Sequence, residues 1–254
     1  MPDRVEAFYN SLADVYHLIF EDWDRSMARQ AGTIDATLKK RVGPEPLEIL
    51  DCACGIGTQT LGLAALGHRL TGSDLSPAAV ERARKEALKR GVKADFHVSD
   101  MTTLAQIPSG RFDFFGSFDN ALPHLSAEQL KDAAKSFARV LRSGGTFIAS
   151  VRDYDALIRE RPAFQGPSFF GAPGERRIVH QIWDWRAEDR YDVHLHITVE
   201  KDRGWESLHF ASEYRCLLRA EIDQALTSAG FAEIEWLRPE TTGYYQSLVT
   251  ASLA

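Results

Sequence analysis

The stretch Asp51-Cys-Ala-Cys-Gly-Ile-Gly-Thr58 decides the fold. It follows a short apolar run, Leu47-Glu-Ile-Leu-Asp-Cys52, that reads as a strand, and it leads into a helical stretch ending near Gly67. Glycines between a strand and a helix let the backbone turn sharply and bring a ligand close to the free amides of the helix N-terminus. Such a loop alone is equally a plain tight turn, so its meaning rests on what lies around it.

Outward from the loop, strands and helices alternate. His68 to Asp74 reads as a second strand, and Ser76 caps a helix that has Pro77 at its first position. Lys93 to Val98 and Arg111 to Phe118 read as the third and fourth strands. Ser126 to Leu141 is an amphipathic helix followed by Gly144-Gly145, and Thr146 to Val151 is the fifth strand. This alternation implies a parallel sheet with helices on both faces.

Three strand ends then carry chemistry in order: the glycine loop, Asp74, and Asp100 with Met101. A carboxylate ending the second strand, about 20 residues past the glycines, is placed to bind both hydroxyls of a ribose. Asp100 is placed to accept from an adenine amino group, with Met101 as an apolar wall. Together they describe a nucleoside pocket. A dinucleotide site wants a third glycine where the chain has Thr60, and the absence of Gly-Lys-Ser/Thr excludes a P-loop. Asp51 suits a pyrophosphate poorly and a cation well, and S-adenosylmethionine carries an ammonium and a sulfonium. Cys52 and Cys54 have no further ligands at metal-binding spacing and read as packing around the turn, so no metal is expected.

The flanks differ in character. Residues 5–40 read as helical, with Val5, Phe8, Tyr9, Leu12 and Tyr16 on an apolar stripe that ends at Gly43-Pro-Glu-Pro46. Residues 161–175 read as a loop, and Arg177 to Arg186, Tyr191 to Lys201 and Trp205 to Leu217 as an antiparallel three-stranded sheet. A helix from Glu221 to Ala229 follows, then Phe231 to Leu237 and Ser247 to Leu253 as a terminal antiparallel pair. The expected fold is α/β: a Rossmann-like sheet, mostly parallel with its last strand antiparallel. Residues 1–43 form a helical cover, 44–160 and 218–254 the core, and 161–217 an inserted lid or substrate subdomain.

Composition narrows the partners. The 254 residues are 44% apolar and 26% charged, ordinary values for a globular chain rather than a disordered one. A net charge of −6 argues against nucleic acid, which needs clustered positive charge. No run approaches the roughly 20 apolar residues that span a bilayer, and Met1 to Tyr9 lacks a signal-peptide core. Three cysteines make no disulfide framework. The expectation is a cytoplasmic protein with a small-molecule partner and no membrane association, a monomer or small homo-oligomer.

The pattern resembles class I S-adenosylmethionine-dependent methyltransferases, and among them the glycine N-methyltransferase and glycine/sarcosine methyltransferase group. Ile49-Leu-Asp-Cys-Ala-Cys-Gly-Ile-Gly57 is similar to that group's Asp-x-Ala-Cys-Gly-x-Gly, Asn120-Ala-Leu-Pro-His-Leu125 to its Asn-Ser-Phe-Ala-His-Leu, and Arg152-Asp-Tyr-Asp155 to its Arg-Asn-Tyr-Asp. The resemblance implies that Arg152 binds a substrate carboxylate, that Asn120 helps to position the acceptor, and that Tyr214 belongs to the substrate site. It also implies that Tyr9 and Tyr16 cover the cofactor with Arg29 or Arg25. Asp51, Ala53, Gly55, Gly57, Asp74, Leu75, Asp100, Met101 and Phe118 would form the cofactor wall. His180 stands where the group has a tyrosine on the first inserted strand, Asp100-Met101 replaces Asn-Trp, and the long N-terminal arm of the tetrameric mammalian type is missing.

The implied activity is N-methylation of a small amino acid such as glycine or sarcosine, leaving S-adenosylhomocysteine. Methyl transfer from a sulfonium to an amine needs alignment, exclusion of water and an unprotonated amine rather than a nucleophile or a metal. Alternatives are another amine, a phosphonate or a hydroxyl as acceptor, or a sensor that binds the cofactor without turnover. His124 reads as a packed, hydrogen-bonded histidine with a role near the acceptor left open, and His194 and His196 as structural residues on one strand face.

Overall fold

Two helices precede the first strand in the computed structural model, which describes residues 2–43 and 45–254. They are α1 (Pro2–Leu12) and α2 (Trp23–Val42). The alternating region follows as β1 (Glu48–Asp51), α3 (Thr58–Ala65), β2 (Arg69–Asp74), α4 (Pro77–Arg90), β3 (Ala94–Val98), β4 (Phe112–Ser117), α5 (Ala127–Val140) and β5 (Leu141–Val151). Then come α6 (Tyr154–Glu160), β6 (Phe164–Phe170), β7 (Arg177–Trp185), β8 (Arg190–Lys201) and β9 (Gly204–Arg215). The chain closes with α7 (Arg219–Ser228), β10 (Phe231–Leu237), α8 (Pro239–Thr242) and β11 (Ser247–Leu253).

The larger sheet has seven strands in the order β10-β11-β5-β4-β1-β2-β3. The first five strands pair in parallel, while β11 runs antiparallel to both β5 and β10, as the sequence implies. Strands covered on both faces become continuously apolar, which is why Phe112, Phe114, Phe115, Phe147 and Ile148 are wholly buried. Burying one such side chain contributes about 1.5–3 kcal/mol. Strand order reverses between β1 and β4, so the crevice beyond their carboxyl ends is where an open sheet of this kind takes its ligand.

The second sheet is four-stranded and antiparallel, in the order β6-β7-β8-β9, rather than three-stranded. The additional strand is the segment read as a loop. Gly166-Pro167 interrupts it, and its register against β7 shifts between Gln165 and Ser168. An edge strand tolerates a proline and a bulge that a central strand would not. The N-terminal helical stretch is likewise broken: Asp22 caps α2 by accepting from the Arg25 amide, which separates it from α1 and the short turn Tyr16–Ile19. Strand β5 starts at Leu141, so Gly144-Gly145 lie inside it, at the register shift against β4.

The pleat gives the second sheet two unlike faces. Tyr191, Val193, Leu195 and Ile197 of β8 are buried, Leu195 and Ile197 against Phe8 and Leu12 of α1. His194 and His196 point the other way. Among the described residues, no helix is long and apolar enough to cross a membrane.

Candidate functional site

The chain leaves β1 into the glycine loop, whose backbone only glycine adopts without strain. Gly57 has φ 96° and caps α3, and a Cβ there would lie 2.9 Å from the Leu61 side chain. Ala53, Gly55, Asp74, Leu75, Asp100 and Met101 line a first cavity, with Phe118, Tyr9 and Tyr16 on its other walls. The Asp74 carboxylate accepts from the amides of Gly55 and Ser76, both at 2.9 Å, which fixes it at the end of β2. Asp100 accepts from the Thr102 amide at 2.8 Å. A nucleoside with a cationic tail fits these residues: two acids stand at successive strand ends, apolar walls lie between them, and backbone amides frame the loop.

Asp51 does not line that cavity. It is wholly buried beneath the loop, accepting from the Thr60 hydroxyl at 2.7 Å, while its Oδ1 has no hydrogen-bond partner among the described residues. Burial, reinforced by Asp119 and Asp74 and opposed by the Thr60 bond, lifts its carboxyl to about 7. Gly57 likewise shapes the turn and stays off the cavity wall.

A second cavity of about 450 Å³ lies between α1, α2 and the inner face of the second sheet and shares Tyr9, Tyr16 and Asp119 with the first. Its walls include Asn120, Arg152, Gln181 and Tyr214. The Arg152 guanidinium lies 4.9 Å over the Trp183 ring and donates to Gln181 Oε1 at 3.4 Å and the Tyr191 hydroxyl at 3.5 Å. No carboxylate pairs with it among the described residues, so it remains available to an anionic group. Asn120 is buried and uses both ends of its amide within the protein, donating to the Tyr154 hydroxyl at 2.8 Å and accepting from the Arg152 amide at 3.1 Å. It ties the end of β4 to the end of β5.

Where the cavities meet, three side chains form a chain of contacts. His124 Nε2 lies 3.0 Å from the Tyr9 hydroxyl, which lies 3.4 Å from that of Tyr214. Burial lowers the His124 ring to about 4, so it is neutral at ordinary pH, and burial raises both tyrosines, so they stay protonated.

His180 is on the wall of the second cavity, beside Gln181. Its register partner is His196, and the two rings stack with centroids 4.8 Å apart on the face of the sheet opposite the Gln181 side chain. It is Gln181 that meets the Arg152 guanidinium. The outward row continues from His196 to His209, with His194 Nδ1 2.9 Å from His209 Nε2, yet no group of three ligands that could hold a metal occurs among the described residues. Of the two N-terminal arginines, Arg29 lines the second cavity, and it is exposed there.

The sequence reading missed Asp119, Gln181 and Tyr245. Only Asp119 carried a signal. It and Asn120 form an Asp-Asn pair just past β4, and both take left-handed φ, 56° and 65°, which Asp and Asn tolerate better than other side chains.

A family model described as a methyltransferase domain matches residues 49–145. A 2-heptyl-1-hydroxyquinolin-4(1H)-one methyltransferase of Mycobacteroides abscessus is 30% identical over 54% of this chain, which spans 58% of that relative's length. A dTDP-3-amino-3,4,6-trideoxy-alpha-D-glucopyranose N,N-dimethyltransferase of Streptomyces venezuelae is 26% identical over 91% of this chain and 94% of its own. Among solved structures, that of Streptomyces venezuelae DesVI superposes with a TM-score of 0.77 at 25% identity, covering 95% of this chain and 98% of the other. The glycine and sarcosine enzymes suggested by the motif resemblance are not what these whole-length relatives represent.

Proposed function

We propose that the chain, whose residues 49–145 match a methyltransferase domain, transfers a methyl group from S-adenosylmethionine to an amine on a small molecule larger than glycine, with an amino sugar the favoured class. The observation that carries this reading is the second cavity, about 450 Å³, which shares Tyr9, Tyr16 and Asp119 with the wall of the first. Drug-sized ligands occupy pockets of roughly 300–1,000 Å³, so glycine would leave most of this space to water. The amino-sugar relative that matches nearly the whole chain supports the same class.

The cofactor, when bound, supplies an electrophilic methyl group on a sulfonium. Asp74 and Asp100 would hold its ribose and adenine, with Leu75, Met101 and Phe118 as walls. Tyr9 and Tyr16 reach both cavities and would exclude water from the space between them. Asn120 fixes the backbone of Arg152, whose guanidinium would anchor an acidic group of the acceptor.

A second reading, a small amino acid such as glycine or sarcosine as acceptor, is supported by Arg152 itself, a cation without a carboxylate partner that suits a substrate carboxylate. One assay separates the two readings. The protein is incubated with labelled S-adenosylmethionine and, in parallel, glycine, sarcosine and nucleotide-linked amino sugars. Label in the amino-sugar arm is the expected result; label only with glycine or sarcosine would transfer the assignment to the amino-acid reading.

A further inference from the structure

Among the described residues, Asp119 is the only carboxylate on the wall of the second cavity, and it also borders the first. The chain holds it there against local preference. Left-handed φ costs a non-glycine residue roughly 1–2 kcal/mol, and two such residues stand in succession at Asp119 and Asn120. The Ser150 hydroxyl accepts from the Asp119 amide at 2.8 Å and the Ser150 carbonyl from the Asn120 amide at 3.2 Å, which pins the turn. A glycine would take the same backbone without strain, so the turn alone does not call for a carboxylate.

The surroundings of that carboxylate are aromatic. The Tyr245 hydroxyl donates to it, Tyr16 and Tyr214 line the same cavity, and the charge of Asp119 raises the pKa of all three tyrosine hydroxyls. No arginine, lysine or histidine pairs with Asp119 among the described residues. Burial holds its own carboxyl above the usual carboxylate range, while hydrogen bonds from Tyr245, Gln59 and Tyr244 oppose that shift. A half-buried, cation-free carboxylate in a cavity lined by tyrosines is a receptor for an ammonium, which gains from the charge and from nearby rings together.

We propose that Asp119 receives the amine of the acceptor, so that the cavity selects a substrate carrying a basic nitrogen next to the donor cleft. This rests on the methyl-transfer reading and deepens it by naming the residue that recognises the nitrogen. Tyr245, which holds Asp119, lines the second cavity and not the first, so the carboxylate belongs to the acceptor side. The amine arrives as an ammonium, its N–H bond breaks, and the proton moves to a carboxylate oxygen of Asp119, leaving a neutral nitrogen with its lone pair free.

The test titrates tetramethylammonium chloride into the full chain by calorimetry, with and without S-adenosylhomocysteine, for the wild type, Asp119→Asn and Asp119→Gly. Both substitutions suit the left-handed backbone. The expected result is saturable binding by the wild type that weakens about tenfold or more in both variants, while S-adenosylhomocysteine affinity stays within about twofold. Equal tetramethylammonium affinity in the variants, no binding by the wild type, or an equal loss of S-adenosylhomocysteine affinity would overturn the assignment. A wild type that binds tetramethylammonium through Asp119 but no S-adenosylhomocysteine would instead sink the methyl-transfer reading and leave Asp119 as an ammonium receptor.

Discussion

The two sheets build their cavities by opposite means. The seven-stranded sheet offers its strand ends: the Gly55 and Ser76 amides hold Asp74, and the glycine loop shapes the wall with backbone. The four-stranded sheet offers its inner face, where alternate side chains of β7 to β9 supply Gln181, Val193 and Tyr214 while the α1–α2 segment closes the other side. A site made from strand ends is fixed by topology, so its chemistry survives changes in the side chains around it. A site made from a sheet face depends on register, and a slip of one residue exchanges every wall of the cavity. The donor half is therefore built to be constant and the acceptor half to be specific.

The largest expected effect lies beneath the donor half. Asp51 is wholly buried with its carboxyl lifted to about 7, against 3.8 for the ordinary side chain. Because the folded form binds the proton more tightly, its share of stability is complete below pH 3.8 and is lost as pH rises through about 7. One pKa unit corresponds to about 1.4 kcal/mol, so the cofactor-free wild type should lose on the order of 3 kcal/mol between pH 5 and pH 8 from this group. Denaturant unfolding at both pH values, repeated for Asp51→Asn, checks this. The variant should lack that part of the pH dependence, and parallel curves for the two proteins would exclude a buried protonated Asp51.

Next come the two substitutions that should separate the halves. Asp74→Ala should weaken S-adenosylmethionine binding roughly 100-fold, the loss of two hydrogen bonds to a charged group, with little change in acceptor KM. Arg152→Ala should do the reverse, raising acceptor KM roughly 30-fold with cofactor affinity near normal. Calorimetry for the cofactor and steady-state kinetics for the acceptor give the two readouts. If each variant damaged both affinities equally, the division between strand-end and sheet-face sites would fail.

How much of this was legible in the sequence follows the same division. The order of glycine loop, Asp74 and Asp100 is a matter of spacing along alternating elements, so the order of the first five strands and the donor wall could be read without coordinates. Arg152 and Asn120 were singled out by motif resemblance, and each follows a strand of the parallel sheet. Strand β6 was hidden by Gly166-Pro167, which signals a loop unless the strand lies at an edge. The acceptor wall was harder. Which of His180 and Gln181 faces inward depends on how β7 registers against β8, a long-range pairing that the local sequence does not contain. The Asp119-Asn120 pair past β4 signals a left-handed turn, but the tyrosines that gather around Asp119 come from distant parts of the chain.

The smallest expected effect tests that parity directly. Gln181 Oε1 accepts from the Arg152 guanidinium at 3.4 Å and from the Trp183 indole at 3.0 Å, so it steadies the cation on its ring. His180, one residue earlier, stacks on His196 on the outward face. Gln181→Ala should raise acceptor KM about fivefold, near 1 kcal/mol, the usual worth of one hydrogen bond that positions a charged group. His180→Ala should leave KM within about twofold, since its ring stacks on His196 and makes no hydrogen bond to Arg152. Steady-state kinetics on the two variants decides the matter. A large effect at His180 with none at Gln181 would mean that β7 pairs one residue out of the observed register, and the inner face of the second sheet would then have to be rebuilt with Ile178, His180 and Ile182 as its wall.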